Sequence, residues 1–531
     1  MRTGAKAVLC LVLAGMAALA VFGVTNIYQA VAGGGGDDVE KGPPSAAEVR
    51  TTARDFLAAW ADRRPADAAR LTDFAAEAQP VLGAYFTDAK VRKLTLEPGA
   101  ARGATVPFSV TARVVAGGHA KTWTYDSKLT VVRGRTTGKP LVDWEPSVVH
   151  PELADNLRLV TREGETPQVV AVDADGRVLS EEKYPSLRPV LAQLRERYAG
   201  KLRGEPGIEV LIEQTDGSGS VRSLLGVSKG RPAKLPTTLE AGVQRAAEKA
   251  VREHRRSSVV AVRPSTGEIL ATANEAGGDF DNALQGATAP GSTFKIITAA
   301  ALLAGGVEPE TPVSCPRTYA HDQGMTFHNV EGGEIEDATF AQDFAQSCNT
   351  AFVSLGDELA DDELAVTARR WFGLGKDDWQ TGVATFDGAV PVGEGDEKSA
   401  AIIGQGRVQM NPLTMASVAA TVASGGFRQP VLLPRSFGDR DIATAEPLPA
   451  PVAADLRQMM ELTATDGTAA GLGLGAGAGA KTGSAEVDGQ ERPDSWFTAY
   501  RGDLAVAAVV PEGGHGSEAA GPLVAAVLAA G

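Results

Sequence analysis

The chain has 531 residues, length for three or four domains of ordinary size, and 43% of them are apolar, as in a globular protein with a real core. Its net charge is −15, and no cluster of Lys and Arg could track phosphates, which argues against nucleic acid as a partner. The cysteines Cys10, Cys315 and Cys348 form no Cys-x-x-Cys pair, and no histidines stand in a His-Glu-x-x-His pattern. Neither a metal site nor a cofactor is expected.

Arg2 and Lys6 precede a run of 18 uncharged, mostly apolar residues from Ala7 to Val24. As a helix this run is about 27 Å long, close to the hydrocarbon thickness of a bilayer. Its basic flank should stay in the cytoplasm. Residues 1–31 are therefore expected to form a single-pass anchor in the cytoplasmic membrane, with the body extracytoplasmic. Ala18-Leu19-Ala20 could serve as a signal-peptide cleavage site, but the apolar run continues past it, which favours an uncleaved anchor. Residues 32–45 read as a Gly-rich linker.

Residues 46–152 read as a small α+β domain. Ser45 and Glu48 frame a capping box, followed by Val49, Ala53, Phe56, Leu57 and Trp60 at helical spacing. A second helical stretch runs over residues 66–79. Strands are expected at 105–116, 121–133 and 140–145, the first two joined through Gly117-Gly118. Residues 153–235 look polar and irregular. From residue 236 onward the pattern sharpens. Thr237 and Glu240 suggest a second capping box, and residues 257–263 and 268–273 read as strands joined by Ser265-Thr266-Gly267.

Three short motifs then follow in order: Ser292-Thr-Phe-Lys295, Ser347-Cys-Asn349 and Lys481-Thr482-Gly483. Each alone is weak, as the decoy Ser180-Glu-Glu-Lys183 shows. Pro290-Gly291 punctuates the chain before Ser292, and residues 294–303 form a helix ended by Gly305-Gly306. Ser292 would then stand at a helix N-terminus, with Lys295 on the same face. A serine hydroxyl needs a base to become a nucleophile. Lys295 can act as one if burial or the charge of Lys481 lowers its pKa. Cys315 and Cys348 read either as a disulfide of an oxidising compartment or as two small buried thiols.

The joint order of these motifs resembles that of penicillin-binding proteins. So do Leu284-Gln285-Gly286 with Ala289-Pro290-Gly291, Gly404-Gln405-Gly406 with Asn411-Pro412-Leu413, and Ser484-Ala485-Glu486 after Lys481-Thr482-Gly483. The segment Asp143-Trp144-Glu145-Pro146-Ser147-Val148-Val149-His150-Pro151 resembles the exit of a nuclear-transport-factor-like domain found in some class B members. Residues 153–235 would be a reduced pedestal, of which Val172-Asp173-Ala174-Asp175-Gly176 keeps a trace. The resemblance covers residues 236–531 as a transpeptidase domain. It implies an α/β (α+β) multidomain protein whose C-terminal antiparallel sheet is flanked by helices.

It also implies a peptidoglycan D,D-transpeptidase acting on the D-Ala-D-Ala ends of stem peptides and acylated by β-lactam antibiotics, with a glycan polymerase as partner. Ser292 would be the nucleophile and Lys295 its base. Ser347 would relay a proton to the leaving amine, and Asn349 would bind the substrate amide and Lys295. Lys481 would support Ser347. Thr482 and Ser484 would hold the substrate carboxylate, the N–H groups of Ser292 and Ser484 would form the oxyanion hole, and Gly483 would let the substrate backbone approach. A D,D-carboxypeptidase shares all three motifs, as does a non-catalytic β-lactam sensor. A β-lactamase is disfavoured because no Glu-x-x-Leu-Asn lies between Ser347 and Lys481. Glu336-Asp337-Ala338-Thr339-Phe340 mimics a glycosyltransferase motif, but Asp343 stands where that motif needs histidine.

Overall fold

The computed structural model describes residues 42–275, 280–320 and 324–531. The apolar run read as an anchor lies outside the described residues. Among them, no helix is long and apolar enough to cross a membrane. The chain forms two compact units. One takes residues up to Glu165 together with Pro206–Gly230, the other Thr166–Glu205 together with Arg231–Gly531.

In the first unit, helix Ala46–Ala61 begins with the expected capping box. The Glu48 N–H donates to Ser45 Oγ at 3.3 Å and the Ser45 N–H to Glu48 Oε2 at 2.7 Å. The helix buries Phe56, Leu57 and Trp60. The second helical stretch divides into Pro65–Ala69 and Ala75–Thr87. At the break the Thr72 hydroxyl donates to Ala69 O at 2.7 Å. Strands Val91–Pro98, Thr105–Ala116, His119–Arg133 and Pro140–Asp143 pair in that order, antiparallel throughout. Gly117 and Gly118 turn the hairpin with φ of 54° and 78°, the pair of positive values that a tight primed turn requires.

The reading of residues 153–235 as irregular is corrected. Leu157–Glu163, Ile208–Gln214 and Ser220–Ser228 form a second antiparallel sheet of the first unit, with Ile208–Gln214 in the middle. The intervening stretch belongs to the second unit, where Val170–Val172 pairs in parallel with Lys234–Pro236.

The second unit is built on a five-stranded antiparallel sheet. Its order is Ile269–Asn274, Ser258–Val262, Leu504–Val510, Asp494–Arg501 and Gly479–Ala485. Helices Ala241–Ala250 and Ala520–Leu528 pack on one face and helix Pro412–Ser424 on the other. Both faces are therefore covered, and the central strands are continuous apolar runs such as Leu504-Ala-Val-Ala-Ala-Val-Val510. Helix Ala241–Ala250 starts later than expected, and no capping box forms at Thr237. The hydroxyls of Thr237 and Thr238 instead donate to Val172 O and Ile269 O, both at 2.8 Å, tying neighbouring strands together. Asn411 explains its place in the sequence. Its carboxamide caps helix Pro412–Ser424 through the Thr414 N–H and donates to Leu284 O, Gly286 O and Phe386 O.

Candidate active site

The chain enters the site through Pro290 and Gly291. Gly291 has φ +53°, and a Cβ there would lie 2.6 Å from Ser484 O, so only glycine fits between the two segments. Ser292 does not open an α-helix directly. It lies in a 3₁₀ turn, Gly291–Phe294, that leads into helix Lys295–Ala304. In a 3₁₀ turn residues i and i+3 eclipse, which keeps Ser292 and Lys295 on one line. Gly404 O accepts the Gly291 N–H at 3.0 Å, so the Gly404-Gln405-Gly406 loop supports the turn from behind.

Three segments distant in sequence converge here. Ser292 Oγ faces Asn349 Oδ1 at 3.5 Å. Lys295 Nζ donates to the same Asn349 Oδ1 at 2.7 Å and to Ser347 O at 2.8 Å. Lys481 Nζ donates to Ser347 Oγ at 2.8 Å and to Thr482 O at 3.1 Å. Each ammonium also lies over an aromatic ring, Lys295 over Phe352 and Lys481 over Phe344. All five residues expected to carry the chemistry are thus brought into one cluster.

The two lysines are fully buried, at 0% exposure. Burial, with the neighbouring charge of Lys481, holds the Lys295 ammonium well below its ordinary pKa, while the carboxyl of Asp343 opposes this. Burial brings Lys481 down to about 7. Asp343 is itself completely buried, and among the described residues neither carboxylate oxygen has a hydrogen-bond partner. Burial pushes it up to about 7 against the pull of Lys295.

Ser347 has φ +60°, a strained conformation for a non-glycine residue. Its neighbours fix it there. The Cys348 N–H donates to Asp343 O at 2.8 Å, and Cys348 is joined to Cys315 by a disulfide. Asn329 Oδ1 accepts the N–H groups of Asn349 and Thr350 at 2.8 and 3.1 Å. The Asp343 carboxylate lies within 4.8 Å of both sulfurs, but these are oxidised and leave no thiolate for a metal.

On the edge strand Gly479–Ala485, Thr482 Oγ1 meets Thr468 Oγ1 at 2.6 Å and Ser484 Oγ meets His515 Nδ1 at 3.3 Å. Gly483 admits something other than expected. A Cβ there would lie 2.9 Å from Pro290 O and 3.0 Å from the Thr293 N, so the gap is filled by the turn that carries Ser292. Asn329, Asp343, Thr468 and His515 carry no local motif, and sequence reasoning missed all four as site residues.

Comparison with known proteins agrees with this geometry. Residues 257–529 match the family model of the penicillin binding protein transpeptidase domain, and residues 48–157 that of the NTF2-like N-terminal transpeptidase domain. The peptidoglycan D,D-transpeptidase PbpA of Mycolicibacterium smegmatis is 31% identical over 354 residues, 56% of this chain and 71% of that protein. Among solved structures, a peptidoglycan synthase complex that coordinates polymerization and crosslinking matches with a TM-score of 0.56 at 23% identity, covering 71% of this chain and 92% of that one. Penicillin-binding protein A from Mycobacterium tuberculosis, solved as a penicillin G acyl-enzyme complex, matches with a TM-score of 0.53 at 23% identity, covering 69% of this chain and 99% of that one. The chain belongs to the penicillin-binding protein transpeptidase family. Within it, the chain is of the kind that carries an NTF2-like domain ahead of the catalytic one.

Proposed function

We infer that the chain is a peptidoglycan D,D-transpeptidase that cross-links stem peptides through an acyl-enzyme on Ser292. The observation that carries this reading is the convergence of Ser292, Lys295, Ser347, Asn349 and Lys481 around two buried lysines. A lysine whose hold on its own proton is weakened by burial and a like charge can take the Ser292 proton. Ser292 Oγ then adds to the carbonyl of the penultimate D-Ala. The C–N bond breaks, the terminal D-Ala amine takes a proton through Ser347, and an ester on Ser292 remains. The amine of a second stem peptide attacks that ester, and its surplus proton returns by the same route.

Asn349 holds Lys295 through Oδ1 and keeps an N–H for the substrate amide beside its contact to His328 O. Lys481 steadies the Ser347 hydroxyl, and Thr482 and Ser484 receive the substrate carboxylate. The N–H groups of Ser292 and Ser484 face the developing oxyanion. Gly479–Ala485 is the last strand of its sheet, so an extended peptide can add alongside it. A β-lactam, whose strained amide stands in for the scissile bond, acylates the same serine.

The body works outside the cytoplasm, tethered by the apolar segment of residues 7–24. The disulfide between Cys315 and Cys348 supports an oxidising compartment. The likeness to a synthase complex supports a glycan polymerase as partner. The test is intact mass after incubation with a fluorescent penicillin. The wild-type protein gains a single stable adduct and Ser292→Ala gains none while keeping its circular dichroism. An adduct on the variant overturns the nucleophile, and turnover of penicillin without an adduct replaces the reading with a β-lactamase.

A further inference from the structure

His515 lies beyond the three motifs, in the loop between strand Leu504–Val510 and helix Ala520–Leu528. Its backbone is fixed on both sides. The Ser495 hydroxyl donates to His515 O at 2.8 Å, and the His515 N–H donates to Glu518 Oε2 at 3.3 Å. Next to it, Gly516 packs so closely on the motif strand that a Cβ would lie 2.7 Å from the Gly483 N. The ring is thereby held with Nδ1 at 3.3 Å from Ser484 Oγ and Nε2 at 3.8 Å from Glu331 Oε1. The other charged groups around this loop include Glu518 and Arg492, which pair with each other at 2.9 Å, and Glu512, which lies 3.7 Å from Arg256 and whose N–H donates to Asp494.

We propose that His515 is a positioning residue that sets the direction of the Ser484 hydroxyl, and through it the recognition of the substrate carboxylate. This rests on the role of Ser484 inferred above. A serine hydroxyl carries one proton and two acceptor lone pairs. When Nδ1 is unprotonated, the hydroxyl donates to it and turns its lone pairs toward the pocket, which repels a carboxylate. When Nδ1 carries a proton, the ring donates to Oγ instead. The hydroxyl proton is then free to donate to the carboxylate. An incoming carboxylate selects the protonated-Nδ1 arrangement, so the ring relays the presence of a negative charge to the motif strand.

The test compares acylation by benzylpenicillin and by its methyl ester, resolving the half-saturating concentration from the maximal rate. Wild type prefers the acid. In His515→Leu, which fills the space without a polar atom, the half-saturating concentration for the acid rises about tenfold. Its maximal rate and its response to the ester stay within twofold. His515→Asn, whose carboxamide can place a donor near the Nδ1 position, recovers most of the loss. If His515→Leu keeps the wild-type preference, or affects acid and ester alike, the proposal is overturned and Ser484 keeps its role. If wild type takes both equally, or Ser484→Ala changes neither, the carboxylate role of Ser484 fails first and the proposal with it.

Discussion

Lys481 donates to the hydroxyl of Ser347 at 2.8 Å although 134 positions separate the two in the chain. The contact ties the edge strand to the loop that positions Asn349. It also keeps two buried lysines in one pocket, because Ser347 O accepts from Lys295.

Removing one lysine must therefore retune the other. The charge of Lys481 lowers the Lys295 pKa. Without it Lys295 holds its proton to a higher pH, and the rising limb of acylation moves upward. Lys481→Met should shift that limb to higher pH and reduce the maximal rate about a hundredfold, because the proton relay through Ser347 loses the donor that steadies its hydroxyl. Labelling rates between pH 6 and 10 check this, and an unmoved limb would show that the two charges are uncoupled.

Asp343 gives a second pH dependence, of stability. Its carboxyl titrates at about 7 in the folded protein against 3.8 ordinarily. The folded state thus binds the extra proton, and stability falls as pH rises from near 3.8 through 7. Asn cannot ionise and escapes this loss. Asp343→Asn should gain on wild type as pH rises, with an advantage at pH 8 on the order of 1 kcal/mol or more over its value at pH 5. Thermal melts at the two pH values decide it; a constant offset would be the contrary result.

Gly483→Ala tests the packing of the motif strand on the nucleophile's turn. The added methyl would stand 2.9 Å from Pro290 O, closer than real Cβ contacts, so strand or turn must move. An acylation rate lower by about tenfold or more is expected, because small misplacements at a reacting centre are costly. A wild-type rate would mean that the turn yields freely.

The disulfide spans 33 positions, so its removal should cost about 3–4 kcal/mol by loop closure in the unfolded chain. Cys315→Ala should lower the melting temperature and slow acylation, since Cys348 lies between Ser347 and Asn349. A slower reaction without a change in melting temperature would assign the bond to loop placement alone.

The chemistry was more legible than the frame. Ser292, Lys295, Ser347, Asn349 and Lys481 are legible because acyl transfer needs those residue types at fixed spacings, and the fold then brings the segments together. Asn329, Thr468 and His515 reach the site as single residues delivered by tertiary contacts, which no local pattern records. Strand Val91–Pro98 escaped because only Val91 and Leu94 are buried in it. Strand Ser220–Ser228 exposes most of its side chains, so its composition reads as loop. At Thr237 the hydroxyl found a strand carbonyl to bond, and that tertiary partner displaced the local cap.

The first unit is discontinuous, and this sets a timetable during synthesis. Strand Leu157–Glu163 pairs with Ile208–Gln214, about 45 residues further along the chain. At about 5–20 residues per second a ribosome needs a few seconds to make that stretch. Until then the nascent unit exposes an unpaired strand edge, and the segment Thr166–Glu205 waits as an open loop for partners not yet translated. A chaperone that meets this chain during synthesis has a window of contact there, before the first unit can close.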